Sequence, residues 1–265
     1  MASSRIVFES TGRHVARLTF DAPDRLNALD RGAVEELYRL VGSAGHDPEL
    51  RAVVITGRGR AFSAGLDLKE MEGDGEGPGT TLEARDRLQL FQDLTRLMVS
   101  SPVVFIAAIN GIAVGLGAEV SLACDIRIGG DQAEVMFVEV KRGLFETNGV
   151  MHYLPRVVGH GRAGQWLLTG ERVAASALLQ AGFITELVPA ERLLARANEI
   201  AAAIVANAPM PVRLVKQLLR RTWETDLDTM LELELNGVVT TLSSDDSKEG
   251  VRAFFEKRLP QWKGR

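Results

Sequence analysis

The stretch RAVVITGRGRAFSAGLD (51–67) decides how this chain folds. Its first part, Ala52 to Thr56, is a continuous apolar run closed by Gly57. Such a run suits a strand buried on both faces. Its second part, Gly59 to Asp67, is a glycine-bearing turn at the end of that strand. The arrangement recurs downstream. Val103 to Ala108 reads as a second buried strand, Asn110-Gly111 breaks it, and Gly115-Leu-Gly-Ala-Glu119 opens an apolar helix reaching about Cys124. Ile126 to Ile128 is strand-like again, and a helix from about Leu82 to Ser100 lies between the two glycine turns. Strands alternating with helices in this way predict an α/β core with parallel pairings.

Working outward from this centre, Ile6 to Glu9 and His14 to Phe20 are short β-rich runs split by Gly12, a hairpin pattern. Asp30 is placed to cap a helix from Arg31 to about Ser43, whose Val34, Leu37, Leu40 and Val41 share one face. Glu70 to Thr81 is glycine-rich and acidic and reads as a loop. Residues 160–187 hold a helix and a short strand. Beyond about Asn198 the chain is mostly helical and charged, with Pro209 and Pro211 marking a helix start.

The bulk composition narrows the functional classes. The chain has 265 residues, 46% of them apolar, enough for one large domain with a sizeable core or a domain plus an appendage. A net charge of −4 with no basic stripe argues against nucleic acid as a partner. No run approaches the ~20 apolar residues of a membrane span, and the first residues lack the apolar centre of a signal peptide. The single cysteine, Cys124, sits in an apolar run and reads as a buried structural thiol, consistent with a reducing compartment. The expected location is the cytoplasm. The four histidines have no metal-ligand spacing, so no metal is expected.

The chemistry is expected at the two glycine turns. Glycine lets the backbone approach a ligand closely, and ligands of α/β sheets sit beyond the carboxyl ends of strands. The second turn also feeds a helix start, where free N–H groups favour negative charge. Two readings fit: ordinary tight turns, or two N–H groups aimed at one oxygen as an oxyanion hole.

Four segments bear on that choice: RLNALD (25–30), AFSAGLDLKEM (61–71), INGIAVGLGAEVSLACDIRI (109–128) and FFEKRLPQW (254–262). In order and spacing they resemble the successive signatures of the enoyl-CoA hydratase/isomerase (crotonase) superfamily. The resemblance implies a spiral of repeated ββα units over 1–197, then a helical C-terminal region, 198–265, that trimerises and completes the coenzyme A site. It implies an acyl-CoA thioester substrate, a homotrimer or dimer of trimers, and no cofactor beyond the coenzyme A of the substrate.

Residue by residue, the resemblance assigns the oxyanion N–H groups to Leu66 and Leu116, the second standing where the family often has glycine. It assigns the two hydratase glutamates to Glu119 and Glu139. Arg25 and Lys69 fall near the coenzyme A phosphates, the Ala64 carbonyl near the adenine amino group, and Asp67 and Leu68 in the same binding stretch. Phe254 and Lys257 fall at the nucleotide end. Two departures stand out. Val138 replaces a common proline, and Gly143-Leu-Phe-Glu-Thr-Asn-Gly149 replaces a Pro-Gly-rich turn, which adds Glu146. Glu146 reads either as a solvent-facing loop residue or as an acid of the isomerase kind. Hydration of a 2-enoyl-CoA is the leading expectation. Isomerisation, thioester hydrolysis, decarboxylation and non-catalytic acyl-CoA binding are the alternatives.

Overall fold

The computed structural model describes residues 5–67 and 80–265, apart from the side chain of residue 87. The chain divides into two compact units, Met1–Ala201 and Ala202–Arg265.

Two sheets build the first unit. The larger has six strands in the order β1 (Ile6–Gly12), β2 (Val15–Phe20), β3 (Ala52–Gly57), β5 (Val104–Ile109), β7 (Ile126–Gly130) and β10 (Glu186–Val188). Only the β1–β2 hairpin is antiparallel; every later pairing in this sheet is parallel. The smaller sheet runs β4 (Ala61–Ser63), β6 (Ile112–Val114), β8 (Glu134–Met136) and β9 (Val173–Ala174). In three successive segments the chain lays one strand in the large sheet and the next in the small one: β3 to β4, β5 to β6, β7 to β8. This is a spiral of repeated ββα units, as the resemblance implies.

The helices of this unit are α1 (Arg31–His46), α2 (Thr81–Ser100), α3 (Leu116–Ala123), α4 (Val150–Val158), α5 (His160–Thr169), α6 (Ala175–Gln180) and α7 (Leu193–Val205), whose last residues run into the second unit. Local chemistry sets their ends. The Asp30 carboxylate accepts from Ala33 N at 2.8 Å and starts α1. Thr80 and Glu83 form a reciprocal capping box for α2, so the last two residues of the expected 70–81 loop start that helix, and residues 70–79 lie outside the described residues. The core joins the inner face of α1 (Val34, Leu37, Val41) to strand residues such as Leu18, Val53, Ile55 and Phe105. Cys124 is buried among them.

Two asparagines fasten the corners where the chain changes sheets. Asn110 accepts from Gly57 N at 3.0 Å and donates to Gly59 O at 2.9 Å and Ala61 O at 3.1 Å. Buried Asn27, in the left-handed region at φ 58, donates to Ala61 O at 2.8 Å and accepts from Ala22 N at 2.9 Å. One side chain thus satisfies carbonyls that the turn leaves unpaired.

The second unit holds α8 (Pro209–Leu219), α9 (Leu227–Leu242) and α10 (Asp245–Glu256). Buried Asp246 ties down the chain end by accepting from Lys263 N at 2.6 Å and Gly264 N at 2.8 Å. Trp262 donates from its indole to Ala206 O at 2.7 Å. Among the described residues no helix is long and apolar enough to cross a membrane.

Asn110→Ala removes four hydrogen bonds at one corner and takes the acceptor from the partly buried N–H of Gly57. It is expected to cost about 1–3 kcal/mol and to lower the urea midpoint; an unchanged midpoint would show that the corner holds without it.

Candidate active site

The site is built where the ends of β4 and β6 meet. These strands pair in parallel, Ala61 opposite Ile112 and Ser63 opposite Ala113. Just past β4, Gly65 sits at φ +83, and a Cβ there would fall 2.3 Å from Val114 O and 3.2 Å from Leu116 N. Just past β6, a Cβ on Gly117 would fall 2.5 Å from Ser63 O. No side chain fits at either place, so the two turns touch backbone to backbone.

This contact brings Leu66, which follows Gly65, close to Leu116. Leu66 forms an isolated bridge with Leu29 in which Leu29 N donates to Gly65 O and Asp67 N donates to Leu29 O. The flanking residues make those bonds, so the N–H of Leu66 takes no part in them. Leu116 is the first residue of α3, and its N–H has no partner within the helix. Both leucines line one cavity of about 450 Å³, together with Ala64, Leu88, Phe91, Val138, Phe145 and others. The lining is largely apolar. Leu116 is itself buried, packed into the core beside the cavity it lines.

Three carboxyl groups occupy the same cavity: Glu119 from α3, Glu139 from a 3-10 turn over Glu139–Arg142, and Glu146 from the following loop. Oxygens from all three lie within 4.8 Å of one another. Glu119 is buried and held in place: Asn148 Nδ2 donates to Oε2 at 2.6 Å, and Thr147 N donates to Oε1 at 3.4 Å. Burial, and then the charge of Glu139, raise its pKa from 4.5 to about 7, against the pull of those two donors. Glu146 is 8% exposed, no backbone N–H or cation meets either of its oxygens, and its side chain hydrogen-bonds to the carboxyls of Glu139 and Glu119. Burial first, and the negative charge of Glu139 second, push its pKa up to about 9. The reading of Glu146 as a solvent-facing loop residue is therefore corrected: packing of the 144–149 segment turns it inward.

Over residues 10–265 the sequence matches the family profile described as enoyl-CoA hydratase/isomerase. The chain belongs to the enoyl-CoA hydratase/isomerase family. It is 35% identical to the short-chain-enoyl-CoA hydratase of Clostridium acetobutylicum over 97% of each protein. It is 32% identical to the 2,3-dehydroadipyl-CoA hydratase of Escherichia coli, covering 97% of this chain and 98% of that one. A solved enoyl-CoA hydratase from Bacillus anthracis superposes with a TM-score of 0.92 at 34% identity, covering 98% of this chain and 100% of that one.

Of the residues expected from the family resemblance, Ala64, Leu66, Leu116, Glu119 and Glu139 line one cavity. Arg25 and Asp67, both expected at coenzyme A, form an ion pair with each other, the aspartate buried and the arginine partly exposed. Leu68 and Lys69 lie outside the described residues. Phe254 and Lys257 belong to the second unit. Phe254 is exposed on α10, and Lys257 caps that helix at φ 52. The sequence reading missed Asn148 and Thr147 as the donors that orient Glu119. It also missed Leu88, Phe91 and Arg142 in the cavity wall. The Thr-Asn pair two residues before a helix carries no signal of its own; only the packing brings it to Glu119.

Burial of Glu119 and Glu146 also makes stability depend on pH. Both groups bind protons more tightly folded than unfolded, so the stability they lend is complete below 4.5 and is lost as pH rises through about 7 and then about 9. Glu146→Gln is expected to raise the thermal midpoint by a few degrees near pH 9 and by much less near pH 4.5. An equal shift at both pH values would mean that the Glu146 carboxyl titrates normally.

Proposed function

We propose that the chain is an enoyl-CoA hydratase that adds water across the 2,3-double bond of an acyl-CoA thioester. The observation that carries this reading is one largely apolar cavity lined by Leu66, Leu116, Glu119 and Glu139. In this reading the thioester oxygen accepts from the N–H groups of Leu66 and Leu116. Negative charge moves onto that oxygen when water attacks Cβ, and donors already aimed there stabilise it without reorganising. Each such donor is typically worth ~10²–10³ in rate. Glu119 and Glu139 hold the water, take its proton and help return one to Cα. Asn148 keeps Glu119 oriented.

Coenzyme A is part of the substrate, and the reaction needs no separate cofactor, since proton transfers and backbone dipoles suffice. Arg25, Ala64, Asp67, Leu68, Lys69, Phe254 and Lys257 are the residues we assign to its binding. The proposed assembly is a homotrimer or a dimer of trimers. Its support is a row of exposed apolar side chains on α9: Leu227, Leu231, Leu235, Val238, Val239 and Leu242. Spacings of three and four residues set them on one helical face, an unusual surface to leave in water. The proposed location is the cytoplasm. Isomerisation of the double bond is a second reading, favoured by the inward-facing carboxyl of Glu146, which could carry a proton between two carbons of one substrate.

Incubation with crotonyl-CoA and with longer and aromatic enoyl-CoAs tests the hydratase reading through loss of the conjugated thioester absorbance. The expected product is a 3-hydroxyacyl-CoA, and Glu119→Gln and Glu139→Gln are each expected to cut its formation by about 10²-fold or more. Conversion of 3-enoyl-CoA alone would select the isomerase reading instead. Light scattering is expected to give three or six times the 28.8 kDa chain mass; a monomer would remove the assembly from the account.

A further inference from the structure

The family's two glutamates leave unexplained why a third carboxyl is buried beside them. Buried carboxylates ordinarily serve structure by accepting from backbone N–H groups or pairing with a cation. Glu119 follows that rule through Asn148 and Thr147. Glu146 does not. It is 8% exposed, no backbone N–H or cation meets either of its oxygens, its side chain hydrogen-bonds to the carboxyls of Glu139 and Glu119, and it lines the cavity with the two oxyanion candidates. Its hydrogen bonds run to the other two carboxyls and not to the backbone, and such bonds form only while one of the groups carries a proton.

The groups facing it explain what it can do. Glu119 comes from α3, and Glu139 and Arg142 from the 3-10 turn. The described side chains that α2 gives the cavity, Leu88 and Phe91, are apolar, and no charged side chain of α4 lines it. Two like-charged neighbours within reach and little solvent favour the neutral acid at this position.

We propose, resting on the hydratase reading, that Glu146 is a third catalytic carboxyl that holds the proton delivered to the substrate Cα. This leaves the Glu119–Glu139 pair free to act as base. The step balances. Water oxygen bonds to Cβ, one water proton passes to an ionised carboxylate of the pair, and the double-bond electrons move to Cα and the thioester oxygen. The O–H bond of Glu146 then breaks as its proton joins Cα. The proton taken from water returns to Glu146 across the cluster, whose oxygens lie within 4.8 Å, and the site is reset. The net change is addition of one water molecule.

The test is the pH dependence of crotonyl-CoA hydration by the wild-type protein and by Glu146→Gln, which keeps the shape and removes the acid. The wild type is expected to lose kcat as pH rises through about 9, the range in which Glu146 ionises. The variant is expected to lose about 10²-fold in kcat with little change in KM, and to lose the alkaline limb as well. An unchanged kcat, or a lower kcat that keeps the alkaline limb, overturns the inference while leaving the hydratase reading intact. Should the variant not fold, the wild-type profile decides: activity that stays level through pH 9 overturns the inference. No hydration by the wild type across the enoyl-CoA panel overturns the hydratase reading and this inference with it.

Discussion

Backbone contact between two turns is the constraint on which the site depends. Gly65 and Gly117 each approach a carbonyl of the opposite turn more closely than any side chain allows, 2.3 Å to Val114 O and 2.5 Å to Ser63 O for a Cβ in those places. The parallel pairing of β4 with β6 holds the turns in register, and the corners at Asn27 and Asn110 hold those short strands against the larger sheet. Once the turns meet, Leu66 and Leu116 line the same cavity. No side chain supplies these donors, so the feature tolerates wide sequence change while the glycines do not. A leucine at position 116 is compatible with it because its side chain packs into the core and its amide remains at the helix start.

The second organising force is electrostatic and works against the fold. Three carboxyl groups share a mostly apolar space, and burial raises the proton affinity of two of them. Such a cluster lowers stability near neutral pH. In the proposed hydration the same groups give and take the protons, an exchange of stability for activity. The donors on Glu119 show that the cluster is organised: one member is fixed by Asn148, one is half-buried at a turn, and one hydrogen-bonds to the other two carboxyls.

The long elements of the fold were legible from sequence for simple reasons. Strands β3 and β5 are continuous apolar runs because both of their faces are covered, and α1 and α2 carry their own caps. The small sheet was not legible. Its strands are two or three residues long, too short to display an alternating pattern, and they exist only through pairing with distant segments. Helix α4 was hidden by a left-handed glycine at its start and by Pro155 within it. At the site, Leu66, Leu116, Glu119 and Glu139 could be named because they sit in recognisable segments. The inward turn of Glu146 and the grip of Asn148 on Glu119 arise from packing of the 144–149 loop, which local sequence does not encode.

In the proposed reaction the N–H groups of Leu66 and Leu116 polarise a thioester carbonyl. Infrared difference spectroscopy of a bound acyl-CoA with an isotope-labelled thioester carbonyl tests it most directly. The account predicts that the carbonyl band moves to lower frequency on binding, as two hydrogen bonds draw electron density onto the oxygen. A bound ligand whose carbonyl band stays at its solution frequency would contradict the account.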